Sequence, residues 1–257
     1  MGQQSVPSTR PMRILLTAVT VLVSVFLNGC GSGSHSIRVF AASSLTEVVQ
    51  RLAEEYETRY PNTDVELNIA GSGTLVMQLQ EGADADVVIL ASHSHMNQLR
   101  EIGLVLAPKQ IAQNSLAVIV SPQLTKDIDS IDDVRRGALQ IAICVKSSPC
   151  GALAWAYASS VGLNLSSATH ESNVKAVLAK VERDEVDVGI VYMSDIRSSR
   201  EQLGHLANAG ADQYSTSYPL AVTADSKKRR EAEDFAALFT EPVGQSTLTH
   251  FGFQLFA

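Results

Sequence analysis

Ile37-Arg38-Val39-Phe40-Ala41-Ala42-Ser43-Ser44-Leu45-Thr46-Glu47-Val48-Val49 decides the class of this chain, because within it one hydrophobic period gives way to another. Residues 37–40 read as a short buried strand. Leu45, Val48, Val49, Leu52 and Tyr56 then fall at i, i+3, i+4, i+7 and i+11, one face of a helix that Pro61 ends. The same exchange repeats outward. Strands are expected at Asp64–Ile69, Asp86–Leu90 and Leu116–Val120, with helices at Thr74–Gln80 and around His93–Ile102. Further on, Ser130-Ile131-Asp132-Asp133 resembles a capping box opening a short helix. A strand at Gln140–Cys144, helices at Ala152–Ser160 and Val174–Val181, and a strand at Val186–Tyr192 follow. Leu220–Thr223 reads as the last strand, before helices near Glu231–Thr240 and Val243–His250. Strands alternating with helices predict mostly parallel sheet covered on both faces. Two α/β lobes fit this rhythm better than one large sheet, with polar Gly204–Tyr218 as the return connection.

The composition bounds what such a body does. At 257 residues and 45% hydrophobic content the chain buries a sizeable core, which excludes disorder. With 20 Lys and Arg against 27 Asp and Glu, the net charge is −7, which argues against a nucleic-acid binder with a broad basic face. The front end reads as an address. Arg10 and Arg13 precede an apolar run of 14 residues from Ile14 to Leu27, a signal-like pattern too short for a permanent span of about 20 residues. The run ends in Leu27-Asn28-Gly29-Cys30, which resembles the lipobox of bacterial lipoproteins, where the chain is cut before a Cys that then carries lipid. Residues 1–29 are thus expected to be a signal peptide, and residues 30–35 the lipidated Cys30 with a flexible tether. Loss of two Arg and no acid takes the charge from −7 to −9. An acidic, exported, membrane-tethered body is a poor fit to nucleotide-driven metabolism.

The chemistry sits where strands give way to helices, which is where open α/β sheets bind ligands. Ala41-Ala42-Ser43-Ser44 and Ala70-Gly71-Ser72-Gly73 each supply a hydroxyl, free backbone N–H groups and a helix N-terminus, the equipment for holding an anion without a cationic side chain. Ser44 with Glu47 also has the spacing of a capping box, a purely structural use that is compatible with an outward-pointing hydroxyl. Gly71-Ser72-Gly73-Thr74 lacks the Lys of a phosphate loop and the spacing of a dinucleotide fingerprint.

Val39-Phe40-Ala41-Ala42-Ser43-Ser44-Leu45-Thr46 resembles the opening motif of the periplasmic molybdate-binding proteins, the receptors of molybdate ABC importers. Gly71-Ser72-Gly73-Thr74-Leu75 is similar to that family's second serine loop, and Asp84-Ala85-Asp86-Val87-Val88-Ile89 to the Ala-Asp leading into its next strand. Asn114-Ser115-Leu116-Ala117-Val118, Pro149-Cys150-Gly151, Val181-Glu182-Arg183 and Val188-Gly189-Ile190-Val191-Tyr192 with Ser194-Asp195 complete the likeness, in order, over nearly the whole mature chain. The resemblance implies a two-lobe periplasmic-binding-protein fold (type II), each lobe a mostly parallel sheet flanked by helices, with the ligand cleft between them. Lobe 1 would span residues 36–114 plus 220–257, and lobe 2 residues 115–219. The ligand set it implies is the hydroxyl and N–H of Ser44 and Ser72, the backbone N–H of Cys150 and Val174, and the phenolic O–H of Tyr192. Taken alone, Val174 and Tyr192 read equally as core residues.

Two departures from the family stand out. Ser43 replaces a common Ala, adding a hydroxyl beside the site. Cys150 replaces a small residue and, with Cys30 lipidated, leaves an even pair with Cys144 in an oxidising compartment, so a Cys144–Cys150 disulfide is expected. His93 and His95 are two apart and point in different directions on a helix, so no bare metal cation is expected. No nucleophile elbow occurs in the sequence. Lys227-Lys228-Arg229-Arg230 reads as a solvated helix start. The expectation is a monomeric, non-enzymatic receptor for molybdate or tungstate, without cofactor and without nucleic acid. It would be lipid-anchored on the extracytoplasmic side of the cell membrane and serve an inner-membrane ABC permease and its ATPase. A receptor for sulfate or another oxyanion, or an exported α/β hydrolase, is the alternative.

Overall fold

Strand β1 (His35–Ala42) lies between β2 (Thr63–Ala70) and β3 (Val87–Ile89) and runs parallel to both. Its side chains alternate between two cores. Ile37, Val39 and Ala41 pack on one face of the sheet and Phe40 on the other, so a strand covered on both sides reads as a continuous apolar run. The computed structural model describes residues 1–4 and 35–256. Met1–Ser34 and His35–Ala257 are separate units. Residues 1–4 carry no regular structure, and residues 5–34, with Cys30 and most of the expected signal and tether, lie outside the described residues.

Within His35–Ala257 the strand order is β2-β1-β3-β9-β4-β7-β5-β6. Strand β9 (Ser215–Val222) is antiparallel to β3 and to β4 (Lys109–Val120). Strand β4 is longer than the expected Leu116–Val120 and serves two partners: residues 109–115 pair with β9, and residues 116–120 pair antiparallel with β7 (Val188–Tyr192). Strand β5 (Ile141–Cys144) is then parallel to β7 and to β6 (Thr169–Glu171). Two short strands also pair with β4, β8 (Gly204–His205) with Ile119–Val120 and β10 (Gln254–Leu255) with Ala112–Gln113. The parallel expectation therefore holds within each half of the sheet, and β4 and β9, which carry the chain between the halves, are antiparallel. A single path of strands runs through both halves because β4 belongs to each.

The cores divide in the same way. In the first half, α1 (Thr46–Arg59), α8 (Arg229–Leu238) and α9 (Pro242–His250) cover one sheet face, and α2 (Ser72–Gln80) and α3 (His93–Glu101) the other. The second half has one core, built by residues 116–211 with α4 (Ile131–Arg136), α5 (Pro149–Val161), α6 (Val174–Glu182) and α7 (Met193–Ser198) around it. The Ser130 capping box forms as expected, with Ser130 Oγ accepting from Asp133 N and the Asp133 carboxylate accepting from Ser130 N. The expected return connection is more ordered than a loop. It contains β8, two 3-10 turns and the start of β9, and Tyr218 within it is fully buried.

Helix α5 starts three residues earlier than expected, at Pro149, close against the end of β5. A Cβ on Gly151 would stand 2.0 Å from the Val145 carbonyl oxygen, so only glycine allows this approach. The sulfurs of Cys144, the last residue of β5, and Cys150, in the first turn of α5, are bonded, with Cα atoms 5.8 Å apart. Closing so short a loop constrains the unfolded chain by about 2 kcal/mol.

Candidate functional site

The carboxyl ends of β1, β2, β5, β6 and β7 converge on one small cavity between the two halves. Its lining brings together all five residues expected to hold ligand: Ser44, Ser72, Cys150, Val174 and Tyr192. Ser43, Gly71, Ser148 and Asn173 join them, and none of the lining residues carries a charge. Among the described residues no cluster of His, Cys, Asp and Glu suited to a metal ion occurs.

Three helices direct their N-termini at this cavity; α5 and α6 are capped by side chains that leave first-turn donors free, and α2 has no side-chain cap. Ser148 Oγ accepts from Gly151 N at 3.1 Å, and Asn173 Oδ1 accepts from Ala176 N at 3.1 Å. The N–H groups of Cys150 and Val174, one turn or less from those caps, have no acceptor among the described residues. Orphan donors at a helix start, aligned with the positive end of the helix dipole, are suited to an anion whatever the side chains are. In α2, Ser72 occupies the first helical position. Its Oγ accepts from Ala91 N at 3.0 Å, which leaves its proton for the cavity.

The capping box expected between Ser44 and Glu47 does not form. Helix α1 starts at Thr46 behind a 3-10 turn at Ser43–Leu45, and no side chain caps it. Ser44 Oγ lies 2.8 Å from the Tyr218 hydroxyl instead. Asn114 Nδ2, which can only donate, reaches Tyr218 OH at 3.5 Å and Ser194 Oγ at 2.7 Å. The Tyr218 hydroxyl can accept from Asn114 and donate to Ser44, an arrangement that leaves the Ser44 proton for the cavity. Asn114 and Tyr218 are both fully buried, and neither is among the residues expected at the site. Asn114 had a signal, a polar residue opening an apolar strand, whereas Tyr218 was hidden in the presumed connection.

Tyr192 ends β7 with its side chain 1% exposed, and its hydroxyl has no hydrogen-bond partner. Burial, with Tyr218 and Asp195 nearby, holds its pKa far above the usual phenol value, so the group is a donor and stays one. Its backbone N–H donates to Asp195 Oδ2 at 2.9 Å. Asp195 is fully buried, and its other oxygen lies 3.4 Å from Lys175 Nζ.

Burial pushes the Asp195 carboxyl up to about 6, against the lowering effect of Lys175 and of the Tyr192 N–H. In the unfolded chain an Asp titrates near about 3.9. Between about pH 4 and about pH 6 the folded protein therefore binds a proton that the unfolded chain lacks, and this group's contribution to stability falls as pH rises through that window. The stability of Asp195→Asn relative to wild type is expected to rise by about 2–3 kcal/mol between pH 4 and pH 7. Urea unfolding of both proteins at the two pH values checks this. Parallel profiles would mean that Asp195 is ionised throughout.

Residues 37–254 match the profile of a family described as bacterial extracellular solute-binding protein. The chain is 30% identical over 226 residues to the molybdate-binding protein ModA of Mycobacterium tuberculosis (strain ATCC 25618 / H37Rv), covering 88% of this chain and 87% of that protein. It is 29% identical over 256 residues to the molybdate-binding protein ModA of Haemophilus influenzae, covering 94% and 99%. In fold it matches the periplasmic molybdate-binding protein of Azotobacter vinelandii with a TM-score of 0.76, at 19% identity over 86% of this chain and 100% of that one.

Proposed function

The chain belongs to the bacterial extracellular solute-binding protein family, and from that premise we propose that its solute is a tetrahedral oxyanion, molybdate or tungstate. The observation that carries this reading is Tyr192: a buried phenolic hydroxyl with no partner, lining an uncharged cavity together with the N-terminal residues of three helices. Ser44, Ser72, Cys150 and Val174 supply the rest of the set, two hydroxyls and the backbone N–H groups. A dianion made only of acceptor oxygens satisfies such a ring. Hydrogen phosphate brings a proton that meets another donor and leaves one of them unpaired, at a cost of about 1–3 kcal/mol. The names of the similar proteins support the same ligand.

An exported hydrolase is the weaker reading. The serines of the cavity have no His, Asp or Glu beside them in the lining to take a proton, and a serine nucleophile needs such a base. The protein acts as a receptor without cofactor and performs no reaction on its ligand. The receptor acts as a monomer in this reading. The two halves act as lobes, residues 36–114 with 220–257 and residues 115–219, which close on the anion and present it to a membrane permease driven by an ATPase. Cys30, cut and lipidated, tethers the receptor to the extracytoplasmic side of the cell membrane.

Calorimetric titration of ligand-stripped protein with molybdate, tungstate, sulfate and phosphate at matched salt tests the ligand. One-to-one binding of molybdate and tungstate is expected, with sulfate and phosphate weaker by at least about 100-fold, the equivalent of one or two unpaired donors. Binding of sulfate or phosphate alone would keep the receptor and replace its solute. No heat with any of the four would overturn the oxyanion reading.

A further inference from the structure

Lys175 stands where local physics disfavours it. It follows Val174 in the first turn of α6, and a cation at a helix N-terminus faces the positive end of the helix dipole. Its contacts lie elsewhere. The ammonium donates to both carboxylate oxygens of Glu47, at 2.8 and 2.9 Å, and to Ser198 Oγ at 2.7 Å, and Asp195 Oδ1 is 3.4 Å away. Ser198 and Asp195 belong to the same half of the protein as Lys175. Glu47 belongs to the other half, one turn beyond Ser44 on α1. The Lys175 and Glu47 side chains are 21% and 29% exposed, so the pair is partly shielded from water although it lines no part of the cavity.

We propose that Lys175 is a positioning residue for capture, a strut that locks the closed cleft by pairing with Glu47 across it. Behind the ammonium, Asp195 and Ser198 hold it in place whether or not Glu47 is near, so the strut is prepared before closure and no charge is stranded when the cleft opens. The same Asp195 fixes the backbone of Tyr192, and this ties the strut to the position of a ligand donor. Part of the free energy of closing thus resides in a contact the anion never makes, and a ligand that closes the cleft recruits it. This inference rests on the reading of the cavity as a molybdate site between closing halves.

Glu47→Gln distinguishes the strut from a simple field effect by sign. Neutralising a carboxylate near an anion site tightens binding if only the electrostatic field matters, whereas loss of the strut weakens it. Molybdate titrated into wild type, Glu47→Gln, Lys175→Met and the double variant is expected to show Glu47→Gln about five- to tenfold weaker than wild type. Lys175→Met is expected to be weaker by at least as much, and the double variant no weaker than Lys175→Met. The loss should fall on the dissociation rate, because the pair forms after encounter. Glu47→Gln leaves the Lys175–Asp195 pair intact, so its result decides the question even if Lys175→Met folds poorly. Wild-type or tighter binding by Glu47→Gln, or losses that multiply in the double variant, would overturn the strut while leaving the ligand reading untouched. Failure of wild type to bind molybdate would overturn both.

Discussion

A Gly71→Val variant is expected to lose molybdate affinity by at least about 100-fold, while its ligand-free form melts within about 2–4 °C of wild type. Gly71 precedes α2 with φ −64° and ψ 143°, an extended conformation open to any residue, so its own half of the protein does not need glycine there. The other half does. A Cβ at this position would lie 2.7 Å from the Ser172 carbonyl oxygen and 3.5 Å from Asn173 Cβ, and its three nearest atoms all belong to Ser172 and Asn173. The branched side chain therefore acts as a wedge felt only when the halves meet. Its remaining cost is a poorer residue ahead of the helix, about 1 kcal/mol. Molybdate titration beside a thermal melt of the ligand-free protein checks both parts. Retained affinity would mean that binding does not require this approach, and a large fall in melting temperature would mean that Gly71 serves folding.

Tyr192→Phe is expected to weaken binding while leaving the stability of the ligand-free protein unchanged. A hydrogen bond to a charged oxygen contributes about 1.5–3 kcal/mol, so losing the phenolic donor weakens molybdate binding by about 10–100-fold. In the open, ligand-free protein of the proposed mechanism this cavity-lining hydroxyl meets water. Removing it leaves the stability of the ligand-free protein within about 0.5 kcal/mol of wild type. The pairing of weaker binding with unchanged stability is what separates a ligand donor from a core tyrosine. Calorimetry with urea unfolding reads both quantities, and a variant that loses affinity and stability together would return Tyr192 to the core.

The α/β class was legible because two signals coincide at each turn of the chain: a short apolar run filled from both faces, as at Ile37–Phe40, and the helical stripe that follows it. What sequence could not give is the partner at long range. Ser44 and Glu47 have the spacing of a capping box, yet each is claimed by a residue more than a hundred positions away, Ser44 by Tyr218 and Glu47 by Lys175. Strand β9 begins five residues before the expected Leu220–Thr223 for a related reason. Its first residues owe their conformation to hydrogen bonds with β4, not to their own propensity. Cys150 and Val174 show a third limit. Their contribution is a backbone N–H, so residue type carries no signal, and only the helix start and the resemblance pointed to them.

Strand β4 has a mechanical consequence. Both crossings between the halves run side by side, Ser115 paired with Ser215 and the Leu116 N–H bonded to the Tyr214 carbonyl at 2.8 Å. Two chains joined edge to edge form a leaf spring: they bend and twist together, but neither slides past the other without breaking its ladder. In the proposed closure the halves are thereby left with little more than one soft degree of freedom. The donors of one half then return to the same register against those of the other on every cycle, and discrimination among anions of nearly equal size needs that repeatability.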